Sequence, residues 1–191
     1  MSYDGRAEAA GVSGGPVVVL HVVPGISAEG IGTFVLNMLE HLDRSKTKVL
    51  LAVTTDWEQL HESRVRELGA EVWRTAEIGE GLAGWVRHFV RLIRLIRRHG
   101  RIDAVHSHMD YFNGINCLAA LIARVPVRIS HAHRTAESGR IGWMRRLYSL
   151  VMRLLIAACA TERIGCSKSA NEGQHRIGPW RFGTKIVNNG I

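Results

Sequence analysis

Short apolar runs alternate along this chain with longer segments whose apolar positions recur every three to four residues. The short runs are rich in β-branched residues, as in PVVVLHVVP over 16–24, a pattern typical of strands buried in a parallel sheet. The longer segments, such as GIGTFVLNMLEHLD over 30–43, have the spacing of an amphipathic helix. The predicted strands cover 16–24, 48–55, 70–75, 102–108, 126–133, 162–167 and 184–191. The predicted helices cover 30–43, 57–69, 84–100, 112–125, 142–160 and 168–178.

The strict alternation of strands and helices predicts an α/β fold. Strands joined in this way form a parallel sheet through right-handed crossovers, which place helices on both faces of the sheet. We therefore predict a Rossmann-like, doubly wound parallel sheet over 16–191. Residues 1–15 precede the first apolar run and are expected to form a flexible N-terminal tail. Ligands of such folds bind outside the carboxyl ends of the strands.

The length of 191 residues fits one folded domain with a single core. Lys and Arg number 25 against 17 Asp and Glu, a formal net charge of +8. This excess favours anionic partners such as nucleotide diphosphates, acidic lipids or nucleic acids. The three cysteines include no CxxC pair, so the sequence supports neither a zinc knuckle nor a disulfide framework. A reducing cytoplasm is the expected compartment.

Two predicted helical segments, 85–98 and 143–155, carry arginines beside an apolar face. Each has two interpretations: a solvated surface with arginine stems over apolar groups, or peripheral attachment to an anionic membrane surface on the cytoplasmic side. Nucleic-acid binding is not expected, because no surface aromatic residues interleave with these arginines to stack on bases. Arginines also interrupt the apolar segment 142–160, so no membrane-spanning helix is predicted.

A glycine-containing loop, PGISAEGIG over 24–32, follows the first predicted strand and leads into a helix. Backbone N–H groups at a helix N-terminus bind anions, and glycine lets a ligand approach the backbone closely. Gly30 and Gly32 are therefore candidate phosphate-binding residues. The loop has neither the GxGxxG nor the P-loop pattern, and a tight turn that requires glycine is the alternative explanation.

Two pairs of histidines close two neighbouring predicted strands: His106 and His108 in DAVHSHMDYFNG, and His131 and His133 in SHAHR. Residues two apart on a strand point to the same side, so each pair shares a face at the end where ligands bind. Four such histidines suit a metal site, but the only carboxylate nearby, Asp110, lies in a predicted loop. We favour a polar active site without a bound metal. A metal-dependent hydrolase that uses these four histidines is the weaker alternative.

In chain order, these motifs resemble the N-terminal half of family 4 glycosyltransferases of the GT-B fold, especially bacterial enzymes of capsule and exopolysaccharide synthesis. The matching segments are EGIGTFVLNMLEHL, DAVHSHMDYFNGI, VRISHAHRT, RIGCSKSA and KIVNNGI, and the match extends over roughly residues 16–191. The resemblance implies transfer of a sugar from a nucleotide-sugar to a glycan or lipid-linked acceptor. It implies retention of configuration more typically than inversion, and neither a metal nor another cofactor.

The resemblance also implies roles for particular residues. Gly30 and Gly32 match the glycine-rich loop that lies beside the donor phosphates and the acceptor. His108 matches the histidine that faces the transferred sugar, and would be the catalytic residue. His133 and Arg134 fall on the acceptor side, where Arg134 departs from the asparagine or similar polar residue often found in the family.

We expect this chain to lack the donor-binding C-terminal domain of the family. The chain ends at Ile191, in the Asn-Gly-Ile turn that normally leads into that domain. We expect this chain not to transfer sugar unless a second chain supplies the other half. A non-catalytic binding or partner module with the same fold is the alternative from a different functional class.

Overall fold

The structure, a computed structural model, describes residues 15–27, 30–76, 79, 81–134, 142–177 and 183–187. The strands of this part are β1 (Val17–Val23), β2 (Thr47–Val53), β3 (Glu71–Arg74), β4 (Ala104–Ser107), β5 (Val127–Ala132), β6 (Glu162–Gly165) and β7 (Lys185–Ile186). The α-helices are α1 (Gly30–His41), α2 (Glu62–Glu67), α3 (Gly81–His99), α4 (Asn113–Ile122), α5 (Trp143–Cys159) and α6 (Lys168–His175). Strands and helices alternate in the predicted order.

All seven strands form one parallel sheet in the order β3-β2-β1-β4-β5-β6-β7. The chain builds outward from β1 in one direction and then returns to build outward from β4 in the other. The strand order therefore reverses between β1 and β4, which is where doubly wound sheets bind their ligands. The predicted fold class is confirmed.

Helices cover both faces of the sheet. On one face, α1 and α2 pack their apolar side chains, among them Val35 and Val65, against β1 and β2. On the other face, Leu92 of α3 and Ala119 of α4 pack against β1, β2 and β4. The helices on this second face include α5, which packs against α4 and α6. The central strands are buried on both sides, which explains their β-branched, nonalternating sequences.

The predicted helix over 57–69 is shorter in the structure, where α2 begins at Glu62. Trp57 and Leu60, two of the apolar residues that suggested the longer helix, are 56% and 73% exposed. The segment before α2 instead reaches toward the loop after β1, where the Gln59 side chain accepts a hydrogen bond from the Ile26 N–H. The tertiary contact with that loop replaces the first helical turn.

Two other predictions fall largely outside the described residues. The predicted tail over 1–15 is described only at Gly15, and the Asn-Gly-Ile turn over 189–191 is not described. The last strand, β7, comprises only Lys185 and Ile186 of the predicted 184–191. The three cysteines are free thiols, and Cys117 and Cys159 are buried, in agreement with the absence of a disulfide framework.

Candidate functional site

A cavity of about 520 Å³ opens at the carboxyl ends of the central strands. Its walls come from the segment that joins β1 to α1 and from residues that follow β2, β4 and β5. The lining residues are Pro24, Gly25, Ser27, Gly30, Ile31, Gly32, Thr55, Gln59, Asp110, His133 and Arg134. The cavity lies at the reversal of strand order, where the topology predicts a ligand site.

The first turn of α1 forms one wall of this cavity. A Cβ atom at Gly32 would overlap the carbonyl oxygen of Ser27, whereas no described atom lies within 4 Å of a Cβ built at Gly30. Gly32 is thus required for the close packing of the loop on the helix, and Gly30 is not. The first turn of α1 contains no acidic residue, and the positive end of a helix dipole favours an anion.

Asn113 at the start of α4 holds the ends of β4 and β5 together. Its Oδ1 accepts hydrogen bonds from Ser107 Oγ at 2.6 Å and from the Met109 N–H at 2.7 Å. Its Nδ2 donates to Ser130 Oγ at 3.1 Å and to the His131 carbonyl at 3.0 Å. Sequence reasoning missed this role, because an asparagine at a strand-to-helix turn has the same local signal whether it caps a helix or joins two strands.

The structure brings both predicted histidine pairs together and adds a fifth member, His21 of β1. The His108 ring, just after β4, contacts histidines from both neighbouring strands. Its Nε2 lies 3.0 Å from Nδ1 of His21 in β1, and its Nδ1 lies 2.8 Å from Nε2 of His133, just after β5. In a second contact, His106 Nε2 lies 3.1 Å from His131 Nδ1. We call these five residues the histidine cluster. His21 lies beside His106 in the β1–β4 register, and its one sequence signal is a polar residue in an otherwise apolar strand.

Burial keeps the histidine cluster uncharged. Desolvation lowers the pKa of His21 and of His133 to about 4. It also lowers the pKa of His131 to about 3, with repulsion from His133 as a further cause. Desolvation, followed by repulsion from the neighbouring histidines of the cluster, also holds the pKa values of His106 and His108 well below the ordinary value. At neutral pH each ring therefore offers one N–H donor and one nitrogen lone pair.

The predicted site residues occupy different positions relative to the cavity. Gly30, Gly32, His133 and Arg134 line it. The Arg134 side chain is largely exposed, and its Nε lies 3.7 Å from Asp110 Oδ2. His108 is fully buried and lies one hydrogen bond behind His133. His133 is thus the member of the histidine cluster that lines the cavity.

The surface of α5 is unusually apolar for a solvent-exposed helix. Its exposed apolar residues, here called the α5 stripe, are Trp143, Met144, Leu147, Leu150, Val151 and Leu154. Arg145 and Arg146 are exposed on the same helix, and Tyr148 of α5 contacts Trp85 of α3 with ring centroids 5.6 Å apart. Among the described residues, no helix combines the length and apolarity that crossing a bilayer requires.

A family model described as a glycosyl transferase 4-like domain matches residues 29–190. The chain belongs to this family. This glycosyl transferase 4-like domain is 34% identical over 153 residues to the putative glycosyltransferase EpsF of Bacillus subtilis strain 168, an alignment that covers 80% of the chain and 39% of EpsF. The chain therefore spans about two fifths of the length of this curated relative. The resemblance to the N-terminal half of family 4 glycosyltransferases is confirmed.

Solved structures show the same fold. The domain superposes on HepE of Anabaena, solved in complex with UDP and glucose, with a TM-score of 0.67 at 15% identity, covering 92% of this chain and 45% of HepE. It superposes on MurG of Acinetobacter baumannii with a TM-score of 0.58 at 13% identity, covering 91% of this chain and 45% of MurG. At these identities the likeness concerns the fold.

Proposed function

We propose that residues 16–191 are the acceptor-side domain of a glycosyltransferase that moves a sugar from a nucleotide-sugar donor to a glycan or lipid-linked acceptor. The donor-binding domain would come from the same polypeptide or from a second chain. The observation that carries the proposal is the cavity at the strand-order reversal, which combines the start of α1 with His133 and Arg134 in a chain of this family. Exopolysaccharide synthesis is the proposed context.

The chemistry of sugar transfer fits these groups. The transition state of a retaining transfer resembles an oxocarbenium ion with a departing diphosphate. Preorganised dipoles and cations in the site stabilise such a state. Ile31, Gly32 and Arg134 line the cavity, and their backbone N–H groups and the guanidinium would supply such groups. The proposed transfer step includes no metal ion or other cofactor. A uridine diphosphate sugar is the first donor to test, because HepE was solved with UDP and glucose.

The histidines would act as neutral hydrogen-bonding groups. His133 would contact a sugar hydroxyl, since it lines the cavity and its lowered pKa keeps it uncharged at neutral pH. His108 would hold that ring in place through the 2.8 Å contact between the two side chains. In this proposal His108 supports the sugar site as a positioning residue, and His133 makes the direct contact.

We further propose that the α5 stripe rests on an anionic membrane surface at the cytoplasmic face. Six apolar side chains, each at least 42% exposed, would enter the interface between headgroups and acyl chains. Exposed arginines of α3 and α5 would meet the lipid phosphates. An acceptor carried on a lipid would then reach the cavity without leaving the membrane surface.

The proposal is tested by restoring a donor-binding half. The chain is mixed with, or fused to, the C-terminal part of EpsF, and UDP release from UDP-sugars is measured with lipid-linked glycan acceptors. We expect turnover only when both halves are present. His133→Ala should lower kcat about a hundredfold, the typical effect of removing one preorganised hydrogen-bonding group, and His108→Ala should lower it with little change in KM.

The exposed His41, at the end of α1 and outside the cavity, provides the control. His41→Ala should leave turnover unchanged. Turnover that is equal in wild type, His108→Ala and His133→Ala would contradict the assigned roles. Absence of turnover with every donor half, together with unimpaired acceptor binding, would favour the non-catalytic module instead.

A further inference from the structure

The histidine cluster, two of whose rings belong to the proposed sugar site, also has the ligand spacing of a metal site. One ring nitrogen from each of His108, His131 and His133 lies within 4.8 Å of the other two. A tetrahedral zinc ion with Zn–N distances of about 2.0–2.1 Å places its ligand nitrogens roughly 3.3 Å apart. Small rotations of the three rings would therefore suffice to bring them around one ion.

The second observation concerns His131. This residue is 1% exposed, and its Nε2 has no hydrogen-bond partner within the described part of the chain. Its Nδ1 lies 3.1 Å from His106 Nε2. A buried N–H without an acceptor is rarer than a buried lone pair without a donor, so the proton belongs on Nδ1. Nε2 then presents an unused lone pair.

The surrounding histidines supply the outer contacts that metal ligands require. Histidine ligands nearly always donate their second ring N–H to a neighbouring acceptor, which sets the tautomer and the ring orientation. His131 can donate to His106 in this way, and His108 Nε2 can donate to His21 Nδ1 across 3.0 Å. The contacts with His106 and His21 would therefore orient the rings of His131 and His108 for metal binding.

Access favours this triad over the alternative set of His21, His106 and His108, which also meets the distance criterion. His21 and His108 are almost completely buried, whereas His133 lines the cavity. An ion could therefore enter beside His133 and keep a water ligand on the cavity side. Phe34 packs on the rings of the triad, with centroid distances of 5.5 to 5.9 Å.

We propose that His108, His131 and His133 bind one divalent transition-metal ion of the zinc, nickel or copper class. Neutral imidazole nitrogens suit these ions. Binding replaces the contact between His108 Nδ1 and His133 Nε2 by two metal–nitrogen bonds, and the proton of that contact moves to His133 Nδ1, so no net proton is released. The ion would join the ends of β4 and β5. Because it takes over the contact by which His108 positions His133, metal binding would compete with the sugar contact proposed above rather than assist the transfer step.

The test uses the full chain after treatment with EDTA and removal of the chelator. Titration with ZnCl₂ is followed by calorimetry, with thermal unfolding measured in parallel. We expect one Zn²⁺ per chain and a Tm that rises with Zn²⁺ concentration. His131→Gln and His133→Gln should each weaken the affinity at least about tenfold, and His106→Leu should weaken it about 10- to 100-fold through loss of the outer contact.

His41→Gln, an exposed histidine outside the cluster, is the matched control and should bind Zn²⁺ like the wild type. If His131→Gln does not fold, as judged by circular dichroism, His133→Gln at the cavity edge provides the decisive comparison. The proposal is overturned if the wild type binds no Zn²⁺, or if His133→Gln binds it as tightly as the wild type. An equal loss in His41→Gln would also overturn it, since binding would then be nonspecific.

Discussion

Glu62 of α2 is a buried carboxylate whose charge is fully compensated by its neighbours. Both oxygens accept hydrogen bonds from the Arg74 guanidinium, at 2.9 and 2.7 Å, and one also accepts from Arg66 at 2.8 Å. Chiefly because of the Arg74 hydrogen bonds, the pKa of Glu62 falls to about 2. The Glu62–Arg74 ion pair joins α2 to the end of β3. Glu62 also accepts a hydrogen bond from the N–H of Gln59, which lines the cavity.

We predict that Glu62→Gln lowers the free energy of unfolding by about 3 kcal/mol at neutral pH, because it breaks a buried pair and leaves Arg74 uncompensated. A carboxyl whose folded pKa is depressed stabilises the fold above its unfolded pKa. That stabilisation is lost as the pH falls from about 4.5 toward 2. Urea unfolding over this range should therefore show the wild type approaching the variant as the pH drops.

The control is Glu67→Gln on the same helix. Glu67 lies 3.2 Å from Arg64, but both side chains are more than half exposed. Exposed pairs of this kind contribute little, so the variant should stay within about 0.5 kcal/mol of the wild type. If the two substitutions lower the free energy of unfolding by the same amount, the Glu62–Arg74 pair has no special role in stability.

At the scale of elements, α4 is the helix on which the site depends most. Asn113 at its start joins β4 to β5, and one turn later Asn116 Oδ1 accepts a hydrogen bond from His88 Nε2 of α3 at 2.8 Å. Gly114 lets α5 approach closely, since a Cβ there would lie 2.7 Å from the Met152 carbonyl oxygen. The position of α4 thus depends on a helix contact that has no space for a methyl group.

We therefore predict that Gly114→Ala displaces α5 and lowers the free energy of unfolding by about 1–3 kcal/mol, the usual cost of overpacking. This is opposite to the intrinsic preference of helices for alanine over glycine. Gly30→Ala is the matched control, because no described atom lies within 4 Å of its added methyl group. Thermal and urea unfolding compare the two variants, and equal stabilities would contradict the packing argument.

At the scale of the whole molecule, apolar and basic surfaces occur together. The chain carries a formal net charge of +8, and the arginines of α3 extend from the solvent-exposed side of a helix whose Leu92 and Ile96 are buried in the core. The α5 stripe lies on the same side of the sheet, because α4 packs against both helices. This combination is typical of proteins that bind peripherally to anionic membranes.

We predict that the chain floats with vesicles that contain anionic lipid and does so less as salt is added, because the attraction between arginines and lipid phosphates is screened. The double substitution Leu147→Glu and Leu154→Glu should abolish flotation by placing charges on the α5 stripe. Leu60→Glu, at an exposed apolar position before α2 that is 73% accessible, is the control and should float like the wild type. Flotation unaffected by the α5 double substitution would contradict the membrane proposal.

Periodicity along the chain determined the order of strands and helices, the parallel sheet and the positions of both histidine pairs at strand ends. These features depend on local preferences: β-branched runs form buried strands, and residues two apart on a strand share a face. The start of α6 is also fixed locally, since the Ser167 Oγ accepts a hydrogen bond from the Ala170 N–H.

Only the tertiary structure decided which of these residues meet. The β1–β4 register brings His21 beside His106, and the depth of each strand end puts His133 at the cavity and His108 behind it. The first turn of the predicted helix over 57–69 was lost to a contact with the loop after β1. Register, strand order and burial depend on residues far apart in the chain, whose relative positions follow from the packing of the whole core, and a local pattern carries no information about them.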